Sequence, residues 1–95
     1  MELSLEYLLR PVVWTILKEL SWGDRFERDL KEKIAEINDN VESFAEIRKN
    51  LVTMGLVHQL KGGEGSPYLA LTYKGQEIMA RLIETAEMLE SEAPE

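Results

Sequence analysis

Gly55-Leu56-Val57-His58-Gln59-Leu60-Lys61-Gly62-Gly63-Glu64-Gly65-Ser66-Pro67-Tyr68-Leu69-Ala70-Leu71-Thr72-Tyr73-Lys74-Gly75 is the stretch on which the reading of the fold turns. Two short β-prone runs, Leu56–Lys61 and Tyr68–Tyr73, flank Gly62-Gly63-Glu64-Gly65-Ser66-Pro67. Glycine and proline at that density suit a hairpin loop and nothing more regular. On one side Gly55 stops a helix. On the other, Thr72-Tyr73-Lys74-Gly75 opens a long helix predicted to reach about Leu89.

Upstream of the hairpin the apolar spacing is helical. Leu3, Leu5, Leu8 and Leu9 make a short apolar opening that reaches Pro11, and proline is tolerated in a first helical turn. A helix from about Pro11 to Leu20 follows, with Val13, Ile16, Leu17 and Leu20 at helical spacing and Trp14 beside them. Ser21-Trp22-Gly23-Asp24 is a turn, where Gly23 suits a C-cap and Asp24 can cap the next helix. In that second helix Phe26, Leu30 and Ile34, four apart, form the expected buried stripe, with mixed charges around the rest. Asn38-Asp39-Asn40 is a turn cluster, and a third helix then points Phe44, Ile47, Leu51 and Met54 inward. Trp14 and Trp22 read as core and core-edge anchors.

The order helix, helix, helix, strand, loop, strand, helix predicts an α+β fold, mainly α. A three-helix core with a two-stranded hairpin and a long last helix is the layout of a winged helix-turn-helix. At 95 residues, 44% hydrophobic and 31% charged, the chain holds one domain, expected over residues 1–90. Residues 91–95 are expected to form an acidic, frayed tail. The net charge is −7, yet without Glu84, Glu87, Glu90, Glu92 and Glu95 only 13 acids face 11 bases. The body is near neutral and the acidity is terminal, which weakens a nucleic-acid reading without excluding it.

Three pieces of the sequence are similar to one group of regulators. Trp14-Thr15-Ile16-Leu17-Lys18-Glu19-Leu20, then Gly23 and Arg25-Phe26, resembles the opening of HxlR-type winged-helix proteins. Leu51-Val52-Thr53-Met54-Gly55-Leu56-Val57 resembles the "Leu, three residues, Gly-Leu-Val" junction shared by the HxlR, MarR and PadR families. Tyr68 to Gly75 resembles their second wing strand and its "Leu-Thr, two residues, Gly" exit. The resemblance covers about residues 12–90. It implies a transcriptional regulator that binds duplex DNA as a homodimer, with its third helix in the major groove and its wing on the backbone or minor groove. HxlR proteins usually carry a cysteine before that tryptophan; this chain has none, so thiol sensing is not implied.

A major groove about 12 Å wide admits one helix, whose outward side chains reach base edges. With the third helix's apolar set inward, Glu42, Glu46, Lys49 and Thr53 turn outward, Ser43, Arg48 and Asn50 sit at the margins, and Asn40 lies in the turn ahead. Lys61 and Ser66 are the wing's candidates, and Arg25 and Arg28 the backbone-phosphate candidates of helix two. Dimerisation is expected of a stripe wider than one domain buries: Ile78, Met79, Leu82, Ile83, Ala86 and Leu89, with Leu5, Leu8 and Leu9. A second reading keeps the fold but uses it for protein–protein contact, as the acidic balance and outward glutamates favour.

Other classes find little support. No cysteine and one histidine, His58, exclude thiolate and zinc-finger chemistry and leave no metal set, so no cofactor is expected. Glu84 and Glu87 are helix-surface charge without a nucleophile, and the glycine-rich loop lacks the following Lys-Ser/Thr of a phosphate-binding loop. The chain is expected not to be an enzyme. No apolar run approaches the ~20 residues of a membrane span, and no basic-then-apolar leader opens the sequence, so a cytoplasmic protein is expected.

Overall fold

A computed structural model of the chain describes residues 4–37 and 42–91. Five helices and three strands follow in the order α1 (Leu5–Leu8), α2 (Pro11–Ser21), β1 (Arg25–Phe26), α3 (Glu27–Ile34), α4 (Phe44–Thr53), β2 (Val57–Lys61), β3 (Pro67–Leu71) and α5 (Tyr73–Glu90). The fold is α+β and mainly helical, with one small antiparallel sheet. From Pro11 onward the expected helix, loop and hairpin order holds, and the apolar opening ahead of it forms one further short helix, α1. The sheet, however, has three strands in the order β1-β3-β2, where the sequence predicts a two-stranded hairpin.

The extra strand corrects the reading of the second helix. Phe26 is extended (ψ 145°) and pairs with Tyr68, while Arg25 pairs with Leu69. The helix starts at Glu27, two residues later than an Asp24 cap would start it, and its N-cap position is Phe26. Its inward stripe is Glu27, Leu30 and Ile34, an i, i+3, i+7 set that the spacing of Phe26, Leu30 and Ile34 mimics. Phe26 instead sits on the outer sheet face, edge-on to Tyr68 with ring centroids 6.3 Å apart. Trp22 is likewise not a core-edge anchor: it is 65% exposed.

The third helix ends as its sequence predicts. Gly55 takes φ +79°, open to glycine at little steric cost, which lets its N–H donate to the Val52 carbonyl and that of Leu56 to the Leu51 carbonyl. These two bonds satisfy carbonyls that the helix end would otherwise leave bare. Lys74, from the first turn of α5, adds its ammonium to the Met54 carbonyl at 2.8 Å, where the helix dipole favours a cation. β3 stops at Leu71, before Tyr73, because Thr72 is the N-cap of α5: its hydroxyl accepts from the Gly75 N–H and donates to the Gly55 carbonyl.

One core joins these elements. Leu8, Ile16 and Leu17 meet Leu30, Ile47, Leu51, Leu56, Leu69 and Met79, all essentially buried. Full burial of each such side chain contributes roughly 1.5–3 kcal/mol. Leu8 and Met79 therefore belong to this chain's own core, so the stripe expected to serve a partner loses both.

Candidate nucleic-acid interface

Two polar latches set how α4 sits on the body. On one flank, the Arg48 guanidinium meets Glu27 Oε1 at 2.8 Å, and the Gln59 amide of β2 donates to Glu27 Oε2 at 2.7 Å. Glu27 is 4% exposed, so α3 carries a buried carboxylate answered from α4 and from the hairpin. On the other flank, the Tyr7 hydroxyl of α1 donates to Glu42 Oε1 at 2.9 Å and accepts from Asn50 Nδ2 at 3.0 Å. Asn50 also donates to Glu42 Oε2, and Arg10 stands 3.7 Å from Glu42 with its guanidinium over the Tyr7 ring.

These latches occupy three residues that the sequence assigns to a DNA contact. Glu42, Asn50 and Arg48 are half-buried and engaged within the chain. Glu46, Lys49 and Thr53 do face outward, as predicted, and a shallow groove along them is lined also by Ser43, Val52 and Gln59. Ser43 is the N-cap of α4, its hydroxyl accepting from the Glu46 N–H.

The remaining candidates cluster around the hairpin. Arg28 lies over the Phe26 ring, 4.6 Å from its centroid, and reaches the Ser66 hydroxyl at 3.5 Å, tying α3 to the hairpin loop. Lys61 is exposed at the end of β2. Arg25 is turned the other way, towards Glu19 of α2. Asn40 lies outside the described residues. Of the dimerisation set, Leu5, Leu9 and Leu89 are exposed, whereas Ile78, Leu82, Ile83 and Ala86 are half-buried along α5.

Sequence reasoning misses Tyr7 and Arg10, which lie in the apolar opening, and puts Glu27 on the solvated, mixed-charge face of its helix, where the structure buries it instead. Glu27 carried a signal, a carboxylate at helical spacing from Leu30 and Ile34, which an apolar-only stripe passes over.

Burial pushes the Tyr7 hydroxyl up from 10.0 to about 12, and the hydrogen bond and charge of Glu42 act in the same direction, against the Asn50 hydrogen bond and the Arg10 charge. A raised folded-state value means that the neutral phenol is the favoured form. Its contribution is thus complete below pH 10 and is lost as pH rises through about 12. Urea midpoints measured across that window should fall more steeply in the wild type than in Tyr7→Phe. At neutral pH the same substitution is expected to cost about 1–2 kcal/mol, since it takes one hydrogen-bond partner each from Glu42 and Asn50 and leaves them only each other and Arg10.

Among the described residues no helix is long and apolar enough to cross a membrane, and no group of three or more His, Asp or Glu side chains is placed to hold a metal ion. Compared with the models of known protein families and with curated proteins, the chain matches none.

Proposed function

We propose that the chain is a winged helix-turn-helix transcriptional regulator of the HxlR, MarR and PadR kind, cytoplasmic, and binding duplex DNA as a homodimer. The order α2-β1-α3-α4-β2-β3-α5 with the sheet order β1-β3-β2 supports this reading, since it sets a helix pair against a hairpin in the winged-helix manner. The observation that carries it is the free outer face of α4. Buttressed on both flanks, this helix keeps Glu46, Lys49 and Thr53 exposed along the face that begins at the Ser43 N-cap, and the hairpin follows it directly. Lys61 and the Arg28–Ser66 pair extend the same contact to the phosphate backbone. The exposed Leu5, Leu9, Met88 and Leu89 leave apolar surface for a second copy.

The competing reading is a protein-binding module. Val52, 44% exposed on the α4 face beside Glu46, favours it, as does the withdrawal of Arg48 into an ion pair.

Fluorescence anisotropy with a mixed-sequence duplex separates the two. The DNA reading expects binding that falls steeply with salt, and a log–log salt slope reduced by about 1 in Lys49→Ala. Salt-independent or absent binding at low ionic strength would move the assignment to a protein partner. Sedimentation at micromolar concentration reads the homodimer, and a single species at the monomer mass of 10.9 kDa would remove it.

A further inference from the structure

The turn that leaves α2 closes one side of a depression of about 490 Å3 that neither latch nor the α4 face uses. Leu20, Leu71, Met79 and Ile83 are its apolar lining residues, and Trp22, Asp24 and Gln76 line it as well. Gly23 takes φ +143°, a conformation that residues with a side chain rarely adopt. The chain reverses there, so Trp22 and Asp24 border the same space.

Neither side chain is tied down by a polar contact among the described residues. Trp22 is 65% exposed, and Asp24 enters none of the ion pairs or side-chain hydrogen bonds among the described residues. The neighbouring Arg25 makes no ion pair with the Asp24 carboxylate. Its Nη1 donates to the Asp24 main-chain carbonyl, while its Nε is directed to the Glu19 carboxylate.

We propose that this depression binds a small organic monocation with an apolar body, of the aryl- or alkylammonium class. An indole face attracts a cation through its ring quadrupole, the Asp24 carboxylate supplies the counter-charge, and the apolar floor takes the hydrocarbon. The volume falls within the roughly 300–1,000 Å3 of small-molecule sites. A chain of net charge −7 also concentrates cations at its surface and repels anions of the same size. The site lies on the α2–α5 side of the molecule, and it stands or falls independently of the DNA reading.

Benzyltrimethylammonium, benzyl alcohol and benzoate probe it, followed by calorimetry and by the Trp22 indole N–H shift in NMR. The cation should saturate the shift and bind about tenfold tighter than the alcohol, with benzoate weaker than either. Asp24→Asn should bring the cation to within about twofold of the alcohol, the expected loss of one ion pair at a solvent-facing site. Trp22→Leu, read by calorimetry, should weaken the cation about fivefold. Both residues are exposed, so both variants should melt as the wild type does, which keeps a loss of binding distinct from a loss of folding. Equal binding of cation and alcohol, an indole shift that does not saturate, or undiminished cation binding by Asp24→Asn would each overturn the proposal.

Discussion

Replacing Arg48 by alanine should destabilise the protein by about 3 kcal/mol, and for a domain of this size that lowers the melting temperature by roughly 12–24 °C. The cause is Glu27. Removing the guanidinium leaves a carboxylate that is 4% exposed with only the Gln59 amide to answer it. Breaking a buried pair on one side is far more costly than replacing both partners. The value sits at the low end for such pairs because Gln59 remains and the Arg48 side chain is itself 27% exposed. Glu27→Leu combined with Arg48→Met should therefore recover most of the loss, as thermal melts of the two single variants and the double variant will read. The double variant also separates structure from recognition. If it binds duplex DNA as the wild type does, Arg48 acts only by holding Glu27. If Arg48→Ala alone proves as stable as the wild type, the latch does not hold α4.

Gly75→Ala is expected to be the second large effect, about 2 kcal/mol or roughly 8–16 °C. A Cβ at position 75 would run into the Leu56 carbonyl oxygen, a backbone atom that cannot swing aside. That oxygen accepts from the Thr72 N–H at 2.9 Å, so moving it disturbs the cap that starts α5. The ~1 kcal/mol that alanine gains over glycine inside a helix offsets only part of the collision. Gly63→Ala is the control, since nothing stands within 4 Å of its added Cβ, and its effect should stay within about 0.5 kcal/mol. Equal melting temperatures for the two variants would mean that the α5–β2 junction is looser than its geometry implies.

Both effects arise at places that the sequence discloses unequally. Gly75 reads from the sequence as a helix-opening residue, but its reason, the carbonyl of Leu56, is a tertiary fact. The longer helices and the hairpin are legible because each is long enough to repeat its own period, whereas the four-residue α1 is not. A two-residue strand has no period, so the sequence merges Arg25–Phe26 with the helix that follows and turns Phe26 inward.

The outward face of α4 was legible for the same reason, and Glu46, Lys49 and Thr53 are exposed where their spacing put them. The margins were not, nor was Glu42, which the spacing also turns outward and the structure half-buries. Periodicity assigns a side chain to a face but not to a partner. Arg48, Asn50 and Glu42 each found one on a distant element, Glu27 of α3 for the first and Tyr7 of α1 for the other two. Leu8 and Met79 show the same limit for the apolar stripe, because spacing cannot tell a residue that fills its own core from one left for a second copy.

The most direct test of the account is to map the DNA contact residue by residue, by titrating a short mixed-sequence duplex into isotope-labelled protein at low salt. The DNA reading predicts that backbone amide shifts concentrate at Ser43, Glu46, Lys49 and Thr53 of the α4 segment and at the hairpin from Lys61 to Ser66, fading as salt is raised. Amides beside Trp22 and along the second half of α5 should stay in place. Shifts confined to the α5 side, or no shift anywhere at a salt concentration that preserves non-specific binding, would contradict it.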